Sequence, residues 1–262
     1  MIRIENGEEF YSILKAFKKK NRKIISNFLM FPEELDKLVR EKKVFYMEGE
    51  AGISLFVEYE AHFSFYFFYK GLDVPIEVRR LDKPVACEIF KKNQLEEGID
   101  ERFIKKNFRQ IGIYKRYILK SENIHDVKSG NSVRKKAGAI HEVWDGIKEN
   151  FNVLTDHLVS QDEMEEKYAD KQFFYYNQAN RIEGALIHET KNKKSVLEYI
   201  FVYPEFRKKG VARELLETWL ATYFQAINKF ELWVSTENRE AIELYKRYGF
   251  QEDGLIKYVY LI

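Results

Sequence analysis

The chain has 262 residues, a length that suits two modest domains better than one. Its content of 45% hydrophobic and 33% charged residues is typical of a soluble globular protein, and a net charge of +2 gives no broad surface for nucleic acid or an anionic membrane. No apolar stretch approaches the roughly 18 residues of a membrane span, and the start lacks a signal-peptide pattern, so a cytoplasmic location is expected.

The first helix of the chain is indicated by apolar residues at helical spacing, Phe10, Ile13, Leu14 and Phe17. We interpret them as core-packing positions. The short basic run that follows, residues 18–20, and a second one at residues 134–136 are expected to be solvated.

A second helix is predicted to start at Pro32, because proline is accepted in the first turn. Leu35, Leu38 and Val39 then share one face. The only cysteine, Cys87, has no partner for a disulfide or a cysteine-based metal site, so no metal is expected. It lies in an apolar run typical of a buried strand.

Two pairs of segments indicate an internal repeat. In the first, separated by 129 residues, a short helix precedes a strand, and its matched positions are Glu34, Leu35, Lys43, Phe45 and Tyr46 against Glu163, Met164, Gln172, Phe174 and Tyr175. In the second, separated by 142 residues, residues 102–108 and 114–119 match residues 244–250 and 256–261 as a helix and a closing strand. The difference between the two separations indicates an insertion about one helix long in the second half.

Residues 121–139 have the polar, small-residue character of a linker. We therefore predict a boundary near residue 130, with one domain at 1–130 and a second at 131–262.

The second half alternates helix and strand patterns. An amphipathic helix is predicted at residues 140–151, and Ser160 with Glu163 has the spacing of a reciprocal helix cap. Strands are predicted at residues 172–176, 182–189, 195–203 and 230–234, and helices at 210–223 and 238–248, the last ended by Gly249. This order predicts a mixed α/β sheet covered by helices.

A basic, glycine-containing turn lies between the strand ending at Tyr203 and the next helix. Unpaired backbone N–H groups at a helix N-terminus, beside the positive end of the helix dipole, suit a pyrophosphate. Gly210 lets the backbone approach an anion, and Ala212 keeps that face small. The basic side chains of the turn, which we expect to add mobile positive charge, are Arg207, Lys208, Lys209 and Arg213.

A second pattern follows downstream, in which Asn238, Ala241 and Tyr245 are spaced to share one helix face before Gly249 and Phe250. On such a face, the Tyr245 hydroxyl is placed to give its proton to a departing thiolate.

Together the two patterns resemble the GNAT superfamily of acyl-CoA-dependent N-acyltransferases, over about residues 140–262. Arg207-x-x-Gly210-x-Ala212, preceded by Val202-x-Pro204, matches its pyrophosphate signature, and Asn238-x-x-Ala241-x-x-x-Tyr245 matches its second motif. The resemblance implies a GNAT-like fold, acetyl-CoA as co-substrate, and direct attack of an amine on the thioester. It also implies a strand that diverges from its neighbour, which frees backbone groups of Phe201 and Tyr203 for the pantetheine arm. Further cofactor contacts that it implies are backbone N–H groups of Val202, for the oxyanion, and of Lys208, Lys209, Gly210, Val211, Ala212 and Arg213, for the pyrophosphate. It also counts Arg207, Asn238 and Tyr245 among the cofactor-binding residues.

For the general base we select Glu198, which interrupts an apolar strand; the alternatives are a strand-edge carboxylate or a structural partner of Arg181. His188 is a weaker candidate and is expected to face solvent.

If the repeat is real, residues 30–120 resemble a degenerate copy of the same fold, so that two GNAT-like domains stand in tandem. This copy lacks the basic turn, because residues 71–76 occupy the corresponding place. We therefore expect it not to bind acyl-CoA. On this interpretation residues 1–130 are a degenerate or accessory domain and residues 131–262 are the catalytic domain.

Three functions are consistent with these patterns. The first is an N-acetyltransferase acting on a small-molecule or peptide amine. The second is a non-catalytic acyl-CoA-binding regulatory module. The third, a Fem-type tandem transferase using aminoacyl-tRNA, is disfavoured because such enzymes need no CoA pyrophosphate turn. The acceptor, the acyl chain length and the oligomeric state stay open.

Overall fold

The computed structural model describes residues 1–71, 81–92, 108–125, 127–130, 132–134, 140–156, 158, 160–169, 172–178 and 181–262. The chain divides into two compact units, one made of Met1–Ile113 with Ile256–Ile262 and the other of Tyr114–Leu255. Both units combine helices with a sheet, as the sequence predicts. Within the described ranges, no helix has the length and hydropathy needed to cross a membrane.

Within its described residues, the first unit contains two helices, six complete strands and the end of a further strand. The helices are α1 (Gly7–Lys20) and α2 (Pro32–Arg40). The strands are β1 (Ile2–Arg3), β2 (Ile25–Ser26), β3 (Val44–Glu48), β4 (Gly52–Glu58), β5 (Phe63–Tyr69), β6 (Val85–Lys92) and the end of the last strand of the chain. Both predicted helices are confirmed, α1 burying Phe10 and Leu14 and α2 burying Leu35, Leu38 and Val39. Most of the predicted helix at 102–108 and the stretch 72–76 lie outside the described residues.

A buried asparagine joins β5 to β6. Their parallel ladder is limited to Phe63 with Val85 and Ser64 with Ala86. Beyond it, the Asn27 amide nitrogen donates to the carbonyls of Phe65 on β5 (3.0 Å) and Glu88 on β6 (2.9 Å). Its amide oxygen accepts the N–H of Phe67 (2.9 Å).

The residues around Asn27 also lie on or beside β5 and β6. The preceding strand, β2, pairs with the far end of β5. Cys87, 3.4 Å from the Asn27 amide nitrogen, is buried as predicted, and burial raises the pKa of its thiol. Residues 25–27 therefore occupy the edge of β5 that β6 leaves.

The second unit carries the four remaining helices that we number. Its helices are α3 (Ile140–Asn150), α4 (Gln161–Ala169), α5 (Val211–Tyr223) and α6 (Arg239–Arg247). Its strands are β7 (Arg109–Lys120), β8 (Val133–Arg134), β9 (Phe173–Gln178), β10 (Arg181–Lys191), β11 (Lys194–Val202), β12 (Lys229–Ser235) and the start of β13 (Gln251–Leu261). The elements predicted for this half are confirmed, including the reciprocal cap between Ser160 and Glu163.

Both faces of the second unit's sheet are covered. On one face, α5 buries Leu215, Leu216 and Trp219 against Phe230 and Leu232 of β12. On the other face, the side chains of α3 pack with those of β10 and β11, namely Val143 and Ile147 with Ile187, Tyr199 and Phe201.

The predicted boundary near residue 130 does not coincide with the compact units. β7 pairs with β12 from Lys120 opposite Lys229 to Tyr114 opposite Ser235, which places residues 114–120 in the second unit. The predicted linker also packs there in part, since the Gly130 N–H donates to Thr218 Oγ1 (2.8 Å) and β8 pairs with β9. Composition indicated a linker because it does not reveal such long-range pairing.

The strand successions of the two units agree. β3, β4, β5 and β6 pair antiparallel, antiparallel and parallel in turn. β9, β10, β11 and β12 do the same. This agreement supports an internal duplication, which stays a prediction.

Candidate functional site

The central feature of the second unit is a gap between β11 and β12. Their parallel ladder runs from Lys194 opposite Lys229 to Leu197 opposite Leu232. β11 nevertheless continues to Val202 and β12 to Ser235. The two strands therefore separate beyond Leu197, as the sequence analysis expected.

A β-bulge begins at the same point. Leu197 lies opposite His188 and Tyr199 opposite Ile187, so Glu198 is the additional residue on β11. Bulges bend a strand and redirect its side chains. The candidate base thus lies where β11 turns away from β12, and the polar residue within the strand was the only signal of it in the sequence.

The backbone of β11 faces the gap at positions other than those predicted. The N–H of Tyr203 donates to the carbonyl of Glu183 (3.0 Å), within the sheet. Because hydrogen-bonding direction alternates along an antiparallel strand, Phe201 shares that direction. The main-chain groups directed toward the gap are those of Ile200 and Val202. The prediction for Phe201 and Tyr203 is wrong by one residue, because a bulge shifts which residues face each edge, and Ile200 was missed.

The turn before α5 has a backbone conformation typical of anion-binding turns. Lys208 and Gly210 both have left-handed backbone, with φ of 62° and 89°. Alternation of backbone handedness aims successive N–H groups at one point and forms a concave anion-binding surface. The first N–H that α5 uses internally is that of Glu214, donated to the Gly210 carbonyl (3.0 Å). The N–H groups of residues 211–213 precede it and have no partner within the helix.

Open space lies above this turn. A side-chain carbon built on Gly210 would meet no heavy atom within 4 Å. Ala212, two residues after Gly210, adds only a methyl group, as predicted. An anion is therefore able to approach the backbone closely.

Two of the four basic side chains of the turn are held by the protein. The Arg207 guanidinium donates to the Val202 carbonyl (3.1 Å) and to Asn150 Oδ1 (3.3 Å), so it fastens the turn to β11 and α3. Arg213 donates to Glu217 (3.1 Å). The expectation that both provide mobile charge is therefore wrong, because nearby acceptors fix them.

The two lysines of the turn are exposed. Lys209 Nζ lies 5.1 Å from the ring centre of Phe206, a cation–π contact that leaves its charge near the turn. Lys208 and Lys209 are thus the side chains best placed to follow a bound anion.

The second motif forms α6 and its start. Asn238 lies just outside the helix as its N-cap, where its side chain accepts the Ala241 N–H (3.1 Å). Its role is thus to start the helix, and the predicted shared helix face holds only for Ala241 and Tyr245. Gly249 has φ of 85°, which confirms the predicted left-handed end.

Tyr245 is 4% exposed and its ring meets that of Phe250 edge-on, with centroids 5.9 Å apart. Burial raises the pKa of its hydroxyl well above the ordinary value. The group therefore stays protonated at neutral pH, as a proton donor must.

The structure gives partners for Arg181 and His188, which bear on the other acid–base candidates. Arg181 pairs with Glu205 (2.5 Å), so the interpretation of Glu198 as the partner of Arg181 is not supported. His188 is fully buried, with Nδ1 at 3.1 Å from Thr190 Oγ1, and its ring stacks on Phe174. The expectation that it faces solvent is wrong, because both faces of β10 are covered.

Comparison with known proteins finds similarity in the second part of this chain. Residues 142–259 match the model of the acetyltransferase (GNAT) domain. An uncharacterized N-acetyltransferase of Methanocaldococcus jannaschii is 37% identical over 68 residues, which cover 26% of this chain and 30% of that protein. Within residues 1–71 and the other described ranges, no group of acidic, histidine or cysteine side chains is arranged to hold a metal ion.

Solved structures of similar fold cover nearly the whole chain. A GCN5-related N-acetyltransferase from Sphaerobacter thermophilus aligns over 98% of this chain and 92% of its own, with a TM-score of 0.60 and 12% identity. A GNAT-family acetyltransferase from Colwellia psychrerythraea aligns over 99% and 97%, with a TM-score of 0.57 and 11% identity. A tandem GNAT protein from the clavulanic acid pathway aligns over 81% and 78%, with a TM-score of 0.52 and 9% identity. At these identities the likeness concerns the fold alone.

Proposed function

We propose that the chain is an N-acyltransferase that moves an acetyl group from acetyl-CoA to a primary amine, on the premise that residues 142–259 match the acetyltransferase (GNAT) domain. The acceptor belongs to the broad class of small-molecule or peptide amines. One observation carries the proposal: a left-handed backbone turn precedes α5 and is fastened by Arg207 to Val202, at the end of β11 that lies beyond its ladder with β12.

Each part of this arrangement suits one part of the cofactor. The backbone N–H groups of residues 208–213, with the charges of Lys208 and Lys209, suit the pyrophosphate. The main chain of Ile200 at the gap suits the amide-containing arm, whereas the Val202 carbonyl already accepts from Arg207. Acetyl-CoA supplies an activated acyl group as its thioester.

The proposed transfer needs no covalent enzyme intermediate. Glu198 accepts a proton from the incoming ammonium, and the free amine forms an N–C bond with the thioester carbonyl carbon. The Val202 N–H stabilises the oxyanion, as a preorganised donor does. The C–S bond then breaks, and Tyr245 gives its proton to the leaving thiolate. The nitrogen loses its second proton as the amide forms, and this proton restores the Tyr245 hydroxyl. General base and general acid each contribute typically about 10²–10⁴-fold.

The test is a screen of primary amines with acetyl-CoA, with free thiol release as the readout and calorimetry of CoA binding alongside. We expect saturable thiol release that depends on one class of amine. Absence of any CoA binding would overturn the proposal.

The alternative, a non-catalytic acyl-CoA-binding module, is favoured by the burial of Tyr245 among core side chains, a position that a structural tyrosine also takes. The same screen separates the two functions. Tight CoA binding without thiol release across the panel would identify the binding module.

A further inference from the structure

A loop after α3 lies on the sheet face that carries Tyr199. This loop, residues 151–156, is braced internally, because the N–H of Asn152 donates to Asp156 Oδ2 (2.9 Å) and the N–H of Leu154 donates to Asn152 Oδ1 (2.9 Å). The Phe151 ring meets the Tyr199 ring edge-on, with centroids 5.1 Å apart. The loop thus has its own internal hydrogen bonds and packs against β11.

Asp156 connects this loop to two strands. The Tyr199 hydroxyl on β11 donates to the Asp156 main-chain carbonyl (3.0 Å). The Tyr114 hydroxyl on β7 donates to Asp156 Oδ1 (3.0 Å). β12 lies between β11 and β7, since it pairs with both. The connection therefore extends over about two strand spacings, roughly 10 Å in an intact sheet.

The connection lies where the ladder between β11 and β12 is missing. Tyr199 is two residues beyond Leu197, the last residue of β11 that pairs with β12. Tyr114 pairs with Ser235, three residues beyond Leu232 on β12. Tyr199 also directly follows Glu198, the bulge residue.

We propose that Asp156 is a positioning residue, a strut between β11 and β7 that sets the width of the gap and the place of Glu198. β11 keeps its ladder with β10 as far as Val202, but its ladder with β12 ends at Leu197, so another support must set the distance between β11 and β12 beyond that point. The Asp156 contacts provide this support on the sheet face that α3 covers. The turn lies at the start of α5, which covers the other face. This role rests on the proposed function, because it matters for catalysis only if the gap holds the acyl-CoA arm.

The test removes one hydroxyl at each end of the strut. Tyr114→Phe and Tyr199→Phe each delete one hydrogen bond while the ring is retained. Tyr117→Phe is the matched control, because its hydroxyl, also on β7, donates to a carboxylate (Glu252, 2.7 Å) outside the strut. We expect all three to lower Tm by about 2–4 °C, while only the two strut variants lower kcat/KM, by about 10- to 100-fold, as misplacement of reacting groups does.

The double variant sharpens the test. Because both hydroxyls act through Asp156, loss of either one should already remove the support. The double variant, Tyr114→Phe with Tyr199→Phe, should therefore have a kcat/KM no lower than that of the less active single variant. Multiplied effects would overturn the strut, as would strut variants whose kinetics equal those of Tyr117→Phe.

A readout independent of turnover separates this inference from the proposed function. Amide hydrogen exchange of residues 199–202 should accelerate in both strut variants and not in Tyr117→Phe. Unchanged exchange would overturn the strut even in an active enzyme. Faster exchange in a protein that binds no CoA would leave the strut standing and remove the acyltransferase.

Discussion

At the scale of single residues, Gly210 and Gly249 have almost the same backbone conformation in different surroundings. Their φ angles are 89° and 85°. A side-chain carbon at Gly249 would lie 3.4 Å from Leu119 Cδ1, an ordinary contact, whereas at Gly210 it would project into open space above the turn. A substitution at either glycine therefore reports the conformational cost of a side chain in free energy of unfolding. Only a substitution at Gly210 should also reduce the affinity for a ligand.

We expect Gly210→Ala and Gly249→Ala each to destabilise the protein by about 1–2 kcal/mol, the cost of left-handed backbone for an L-residue. Only Gly210→Ala should weaken CoA binding, by at least about 10-fold, because its methyl group takes the space of the anion. Urea unfolding and calorimetry measure the two quantities. Equal CoA affinity in both variants would place the pyrophosphate elsewhere.

Tyr245→Phe tests the proton donor. We expect kcat to fall by about 10²–10⁴-fold while the KM for acetyl-CoA changes little, since the lost proton matters only in the transition state. The matched control is Tyr248→Phe, which loses a hydrogen bond to Glu217 (2.6 Å) and should keep its turnover.

The pH profile adds a second check on Tyr245. Burial raises the pKa of its hydroxyl above the ordinary value of 10.0, so no alkaline loss of wild-type rate should arise from this group near pH 10. Unchanged turnover in Tyr245→Phe would exclude the hydroxyl as the acid.

Sequence spacing located the turn and α6 correctly, because motif residues close in the chain are also close in space. The errors at Tyr203 and His188 have a different origin. Which way a strand residue points depends on its neighbours in the sheet and on the bulge at Glu198, and the sequence does not record that pairing. Asp156 was missed for the same reason, since Tyr114 and Tyr199 are distant in the chain.

At the scale of elements, the closed end of the gap is fastened by one carboxylate. Glu231 on β12 has a side chain 6% exposed and contacts Lys229 Nζ (2.5 Å) and Lys194 Nζ of β11 (3.2 Å). Burial alone would raise the pKa of this carboxyl. The two lysines outweigh burial and hold the pKa below its ordinary value.

We expect Glu231→Gln to lower the free energy of unfolding by about 1–3 kcal/mol at pH 7, measured in urea. A carboxyl whose folded pKa is lowered contributes stability above its unfolded pKa and loses it as the pH falls through the folded value. The difference between wild type and variant should therefore shrink below about pH 4.5, the ordinary value. Glu237→Gln, at an exposed carboxylate, is the control, and a pH-independent difference would contradict the assignment.

Helices and strands were predictable because their periodicity is local, as for α5 and β10. The division into units was not. β7 follows the first half in the chain, yet its residues 114–120 pair with β12, and residues 256–262 return to the first unit. Polar composition near residue 130 indicates a connection but contains no information on strand partners.

At the scale of the whole molecule, the two units repeat one strand succession and differ at the point where the third and fourth strands part. In the second unit the gap between β11 and β12 lies beside the turn of residues 208–213. In the first unit the Asn27 amide joins β5 and β6, with hydrogen bonds to Phe65 and Glu88.

We expect one acyl-CoA to bind per chain, measured by calorimetry. Asn27→Ala should destabilise the protein by at least about 2 kcal/mol, because buried backbone groups lose their partner, and the stoichiometry should stay at one. Two equivalents of CoA bound to the wild-type chain would contradict this expectation.

The bridge made by Asn27 also limits how the chain could acquire a second catalytic centre. An asparagine side chain carries the same amide group that a pantetheine arm would present to a strand edge. Grafting a basic, glycine-containing turn onto the first unit would therefore be insufficient, because residues 25–27 would first have to vacate the edge of β5, at the expense of the fold that they hold together.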